Sequence, residues 1–197
     1  MKLVFATHNP GKLKEMKDIL KGLAIEVQSA DKAGVTEDVV EDGKTFAENA
    51  LKKARFVTQK TGEWAVADDS GICIKALNNA PGVITARWAG EGASDKKLEQ
   101  YSLAQMKDIP EGQRGAWMES TVVLTAPDGR RWTFTGKVEG HIPLKPAGKR
   151  RPGMPHDAIF ILCGHSRTFA EMNLEEKNNL SHRGSAFRQL KEFIKKL

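Results

Sequence analysis

The chain has 197 residues, 40% hydrophobic and 28% charged, with 31 Lys and Arg against 25 Asp and Glu for a formal net charge of +6. That composition excludes a disordered or collagen-like chain, and no apolar run approaches the roughly 20 residues of a membrane-spanning helix. A chain of this length buries roughly 70% of its potential surface without needing a disulfide. Cys73 and Cys163 match no metal or redox spacing and read as reduced core thiols. The positive balance favours polyanionic partners, whether nucleotides, nucleic acid or an acidic surface. Length alone does not separate one large domain from two small lobes.

Met1-Lys2-Leu3-Val4-Phe5 has no signal-peptide anatomy; a cytoplasmic protein is expected, with its first strand over Lys2–Ala6. Thr7-His8-Asn9-Pro10-Gly11-Lys12 then leads into a helical pattern with Leu13, Met16, Ile19 and Leu20 apolar. A strand, a polar Gly-Lys turn and a helix form the geometry in which helix N–H groups receive an anion, with Lys12 adding a point charge. The same letters also make an Asn-Pro-Gly turn capping an ordinary helix, and they are not a Walker A motif. A second strand is expected over Ala24–Gln28. The acidic stretch 29–44 reads as a solvated face, of interest only if Glu41 folds over the site.

Thr45-Phe46-Ala47-Glu48 reads as a capping box opening a helix to about Thr61, which leaves Glu48 a structural role. Phe46, Ala50, Ala54 and Val57 form its core stripe, while Asn49 and Lys53 share another face. At Trp64–Ile74 a short apolar run reaches Asp68-Asp69, then Ser70-Gly71, then a second apolar run expected as a strand from Ile72 to Leu77. Two adjacent carboxylates at a strand end repel each other and lose hydration, so they call for a cation, a divalent metal foremost. Asp, Ser and Gly are equally turn formers, and Asp68 could cap a turn with Asp69 in solvent.

Ser94–Lys107 is predicted helical, with Leu98, Tyr101 or Ser102, Gln105 and Met106 near its core line. Ala116–Ala126 and Arg131–Gly140 read as a hairpin about Pro127-Asp128-Gly129. Such a ribbon could form a second lobe, and its edge could pair with another copy, giving a homodimer. Lys145–Pro155 is a basic loop without interleaved aromatics, which argues against a stable nucleic-acid partner. Ala158–Cys163 reads as a strand preceded by His156-Asp157. Asn173–Glu176 reads as a second capping box opening a helix that carries Lys177. Ser181 caps the last helix, whose apolar line is Phe187, Leu190, Phe193 and Ile194. A His182-Arg183 pair in a helix first turn opposes the macrodipole, a local violation of the kind that marks sites.

Taken in order, the Thr7–Lys12 turn, Asn49 with Lys53, Ala67–Gly71, Pro81-Gly82 with Ala86-Arg87, and Ser181-His182-Arg183 resemble the inosine triphosphate pyrophosphatase (dITP/XTP pyrophosphatase) family over nearly the whole chain. The resemblance implies an α/β fold with a long mixed central sheet flanked by helices. Residues 1–197 would form one domain of two lobes with a cleft between them. It implies Mg2+-dependent attack of water on the α-phosphorus of ITP, dITP or XTP, releasing pyrophosphate, and a homodimer. Residue by residue, it assigns Thr7, Asn9 and Lys12 to the triphosphate, Lys53 to a phosphate and Ser70 to the substrate. Glu41 and Asp69 would hold metal with Asp68 supporting, and Asp69 would be the catalytic base. Asp157, Lys177, His182 and Arg183 would read the base, Lys177 also offsetting phosphate charge.

Two letters depart from the family pattern. Met154 stands where the family has an aromatic residue that stacks on the base, and His156 where it has a tyrosine. Methionine sulfur packs against aromatic faces, so an altered platform is expected. Two other functions remain open: a septum-inhibitor-type pyrophosphatase for modified pyrimidine nucleotides, and a nucleotide- or RNA-binding homologue without catalysis.

Overall fold

Runs rich in Val, Ile, Thr and aromatic residues make the strands, and in the computed structural model, which describes residues 1–197, six of them share one mixed sheet. β1 (Lys2–Phe5) lies parallel to both β2 (Glu26–Ser29) and β3 (Trp64–Ile74). β3, β4 (Gly115–Thr125) and β5 (Arg131–His141) run antiparallel, and the short β6 (Ile161–Leu162) completes the order β2-β1-β3-β4-β5-β6. The helices are α1 (Pro10–Leu20), α2 (Phe46–Thr61), α3 (Asp95–Gln105), α4 (Leu174–Leu180) and α5 (His182–Ile194).

Strand alternation decides what each face meets. Leu3, Phe5, Val66, Val122 and Leu124 pack against α1 and α5, with the Phe187 ring edge-on to Phe5 at 5.7 Å. Val4, Ala65, Ala67 and Val123 face α2 through Ala50, Ala54 and Val57. Farther along the first face, Ile72, Ile74, Ala116 and Met118 pack against Phe160, Phe169 and Met172. Asp68, Ser70 and Ser120 form a polar band between the two apolar clusters of that face.

β1 and β3 part company early. β3 pairs with β1 only from Trp64 to Val66, yet it pairs with β4 as far as Ile74. Past Val66 one backbone edge of β3 therefore has no strand beside it. It is capped again only where the Ile72 N–H donates to Thr85 Oγ1 at 3.1 Å and the Ile74 N–H to Ala80 O at 3.0 Å. The open stretch between is the floor of a cleft.

Several expectations change. β3 runs unbroken through Asp68-Asp69-Ser70-Gly71, so the turn reading is wrong; the strand ends at Ile74 and a helical turn occupies Lys75–Leu77. Gly71 is paired with Glu119 of β4, and it is glycine because Gly82 O and Thr85 Oγ1 leave no room for a Cβ. Ala158–Cys163 is not one strand: a helical turn covers Pro155–Ile159, and only Ile161–Leu162 pair. Ala158, Ile159 and Phe160 are consecutively buried, whereas an edge strand with one covered face would bury alternate residues. In α3 the buried positions are Leu98, Glu99 and Ser102, while Tyr101 is exposed and sits edge-on to Trp88.

The capping boxes are only half closed. Glu48 accepts from Lys44 N rather than Thr45 N, and Glu176 pairs with Arg167 instead of turning back. A closed box lies at Thr168–Glu171. Cys73 is buried as expected, but Cys163 is exposed.

α5 approaches the ribbon most closely at Gly136, where an added Cβ would strike the backbone at His182 O and Ala186 N. Gly136→Ala is expected to cost about 1–3 kcal/mol in urea unfolding as the helix is pushed away. Gly112→Ala, with open space around it, should stay within about 0.5 kcal/mol of the parent.

Candidate active site

The cleft encloses about 370 Å³, within the range of small-molecule sites, roughly 300–1,000 Å³. Its first wall is the β1–α1 turn. Asn9 caps α1: its Oδ1 accepts from the N–H groups of Gly11 at 2.9 Å and Lys12 at 3.2 Å. Its Nδ2 donates to Gly153 O at 3.1 Å. With Pro10 lacking an N–H, the start of α1 is already satisfied, and the backbone anion site expected there is taken by the cap. Thr7, His8 and Lys12 face the cleft instead.

The two aspartates look in opposite directions, as neighbours on a strand must. Asp69 faces α2, where Asn49 Nδ2 donates to its Oδ2 at 3.1 Å. Lys53 Nζ lies 3.5 Å from Asp69 Oδ1 and 3.1 Å from Glu41 Oε1, one ammonium between two carboxylates. Burial lowers the Lys53 pKa, but Asp69, Glu41 and Asp68 outweigh it and the net shift is upward. Burial raises the Asp69 pKa more than Lys53 and Lys12 lower it, and Glu41 adds to the rise. The carboxylate is thereby the more basic of the pair.

Asp68 faces α1 and α5. Its Oδ2 takes Lys12 Nζ at 3.0 Å and Arg183 Nε at 3.1 Å, and its side chain is wholly inaccessible. Burial opposes ionisation, yet Lys12, Arg183 and Lys53 hold the carboxyl well below its ordinary range. Asp68 is therefore no companion of Asp69 at a metal, and nowhere do three His, Cys, Asp or Glu side chains gather to hold one. Glu41 and Asp69 are two hard oxygen donors flanking a single cation position, which the Lys53 ammonium fills here and would vacate for a metal. That suits Mg2+, which takes one or two carboxylates and completes its shell with water and substrate phosphates.

Behind Arg183 lies a buried ion network. Glu15 Oε2 accepts from Arg183 Nη1 and Oε1 from Lys177 Nζ, each at 2.6 Å; Lys177 also meets Asp157 Oδ2 at 2.6 Å. Burial would raise the Glu15 pKa, but Arg183 and Lys177 bring it down to about 2. Arg183 Nη2 reaches forward to Ser70 Oγ at 2.8 Å. The expected site residues line the cleft, with two exceptions. Asp68 is sealed beneath it, and Lys177, fully buried and spent on two carboxylates, is not a free cation for phosphate. The sequence pattern alone does not assign Glu15 to the site, although a charged residue one turn before Ile19 on the buried stripe of α1 is a readable signal. Helical spacing puts Asn49 beside Lys53 without showing that its amide reaches Asp69.

A mixed six-stranded sheet whose cleft carries Lys12, Lys53 and Arg183, with Glu41 and Asp69 on one wall, defines an α/β protein built to hold an anion beside a cation. The chain belongs to the Ham1 family, which it matches over residues 3–193. It is 43% identical over 190 residues to the dITP/XTP pyrophosphatase of Zymomonas mobilis, covering 96% of this chain and 90% of that one. It is 43% identical over 198 residues to that of Streptomyces coelicolor, covering 100% and 98%. Among solved structures it is similar to a HAM1 protein from Coxiella burnetii, with a TM-score of 0.89 and 37% identity over the full length of both chains. A nucleoside-triphosphatase / dITP/XTP pyrophosphatase from Mycobacterium abscessus gives a TM-score of 0.76 at 41% identity, covering 96% and 98%.

Two histidines at this site are buried in the neutral form. Burial takes His156 from 6.5 down to about 4, and burial with Arg183 and Lys177 takes His182 well below its ordinary value. As pH falls below 6.5 the unfolded chain takes these protons first, so stability is lost from there through about pH 4. Glu15, ordinarily 4.5 and here about 2, adds a further loss between those values. Urea midpoints measured from pH 7.5 to 3.5 should show the decline, with a shallower slope in His156→Gln between the two histidine values.

Proposed function

We propose that this chain is a nucleoside triphosphate pyrophosphohydrolase that converts the deaminated purine nucleotides ITP, dITP and XTP to the monophosphate and pyrophosphate. The observation that carries the reading is the Glu41–Lys53–Asp69 cluster in the cleft; the relatives named dITP/XTP pyrophosphatase support it. The proposal includes Mg2+, a homodimer, one domain of two lobes across residues 1–197, and a cytoplasmic location. No helix is long and apolar enough to cross a membrane. The edge of β5 from Arg131 to Lys137 has no strand beside it, which leaves room for a second copy.

In this mechanism Thr7, Asn9 and Lys12 hold the β1–α1 turn against the phosphate chain, and Lys53 offsets its charge. Glu41 and Asp69 would hold Mg2+, which would supply positive charge to the phosphate oxygens on which negative charge develops. Asp69 accepts a proton from the attacking water as a general base, held in orientation by the Asn49 amide. Water oxygen bonds to the α-phosphorus, the bond to the bridging oxygen breaks, and pyrophosphate leaves with its electron pair. At the other end Arg183, held by Glu15 and through it tied to Lys177 and Asp157, faces the base beside His182. Ser70 steers Arg183. A 6-oxopurine offers the O6 acceptor that these donors suit, where adenine offers a donor.

Purified protein with Mg2+ should release pyrophosphate from ITP, dITP and XTP far faster than from ATP or modified pyrimidine triphosphates. Asp69→Asn, tested for an unchanged fold by circular dichroism, should lose about 10²–10⁴-fold in kcat; near-normal turnover would remove Asp69 from its role. Absence of hydrolysis together with steeply salt-dependent RNA binding would replace the whole reading.

A further inference from the structure

The stretch that walls the base end of the cleft is held from one side by a polar stripe on α3. Asp95 Oδ2 accepts from Gly153 N–H at 2.7 Å, and Glu99 takes Arg150 in a two-point pair at 2.7 and 2.8 Å. One turn farther, Ser102 Oγ lies 3.1 Å from His156 Nε2. The Ser102 hydroxyl has one hydrogen, and it goes to Leu98 O at 2.8 Å. With that hydrogen on Leu98 O, the nearer of the two acceptors, the oxygen accepts from the imidazole, which puts the ring hydrogen on Nε2 and leaves Nδ1 as a bare lone pair. No protein group donates to that Nδ1, and His156 lines the cleft beside Met154 and Asp157.

We propose that His156 is a specificity-determining residue whose Nδ1 accepts the N1–H of a 6-oxopurine, in a tautomer set by Ser102. The inference rests on the cleft being a nucleotide site, as proposed above. Arg183 supplies a donor and His156 an acceptor, which match O6 and N1–H side by side on hypoxanthine or xanthine. Adenine reverses both, placing an amino donor at C6 and a lone pair at N1, so its N1 would face the His156 lone pair. An acceptor left opposing an acceptor at a buried ring costs more than a lost bond. The neutral imidazole fits its burial, which moves its pKa down to about 4.

The test compares kcat/KM for ITP and ATP in the parent, His156→Leu and His156→Gln, which keeps an acceptor, and in Ser102→Ala. His156→Leu should lower kcat/KM for ITP about tenfold, the worth of one hydrogen bond, through KM and without a matching loss on ATP. His156→Gln should retain most of the preference, and Ser102→Ala should weaken it by freeing the tautomer. Long-range proton–nitrogen NMR of the native protein should show Nδ1 unprotonated and moved by IMP but not by AMP. An unchanged ITP to ATP ratio in His156→Leu, or a protonated Nδ1, would overturn the assignment of His156 alone. A parent enzyme inactive on ITP and XTP would instead overturn the pyrophosphohydrolase reading. Should His156→Leu not fold, His156→Gln, Ser102→Ala and the NMR measurement decide the same question.

Discussion

A carboxylate taken out of water must find positive charge or lose its own, and the core of this cleft follows from that constraint. Glu15, Asp68 and Asp157 are buried, and Lys12, Lys177 and Arg183 are their counter-charges. The groups come from α1, β3, the 155–159 turn, α4 and α5, so no element can shift without unpairing a charge in another. Such a network is weak as a source of net stability, because desolvation consumes much of the attraction. It is strong as a constraint: removing one partner typically costs about 3–5 kcal/mol. The apolar clusters on either side bring these elements together, and the ion network fixes their register.

Strand alternation then divides the labour of two adjacent residues. Asp68 turns inward and is consumed by Lys12 and Arg183, which makes it a structural anion. Asp69 turns toward α2, where burial raises its pKa and Asn49 orients it. Early departure of β1 at Val66 is what exposes this part of β3; a longer β1 would have filled the cleft with strand. Position in the sheet and direction of the side chain together separate the chemistry of two identical neighbours.

Much of this was readable locally. The Asn9–Lys12 turn, the shared face of Asn49 and Lys53, the Pro127-Asp128-Gly129 hairpin and the Ser181 cap each rest on residues a few positions apart. What could not be read depended on distant partners. Asp68-Asp69-Ser70-Gly71 has turn-forming letters, but it is extended because it pairs with Glu119–Val122 of β4, with Arg183 satisfying the Asp68 and Ser70 side chains. Lys177 carries the letter of a phosphate-binding cation, and only its two buried carboxylate partners show it to be structural. The Ala158–Cys163 run is apolar enough for a strand, but the helical turn Pro155–Ile159 takes its first residues and only Ile161–Leu162 pair with β5.

The two ends of the cleft are supported differently, and one side chain joins them. Glu41, Lys53 and Asp69 stand at the end supported by β3 and α2, whereas Met154 and His156 belong to a segment hung from α3. Asn9 reaches both: its carbonyl oxygen caps α1 and its amide nitrogen holds Gly153 O. Gly153 has a φ of 74°, and any Cβ there would run into the Asn9 amide, so glycine is required by backbone conformation and by space together. Substitutions at 154 and 156 can therefore vary what the base end displays while the Asn9–Gly153 tie keeps its distance from the carboxylates fixed. That separation lets the segment at 154–156 vary while the carboxylate–lysine cluster stays in place.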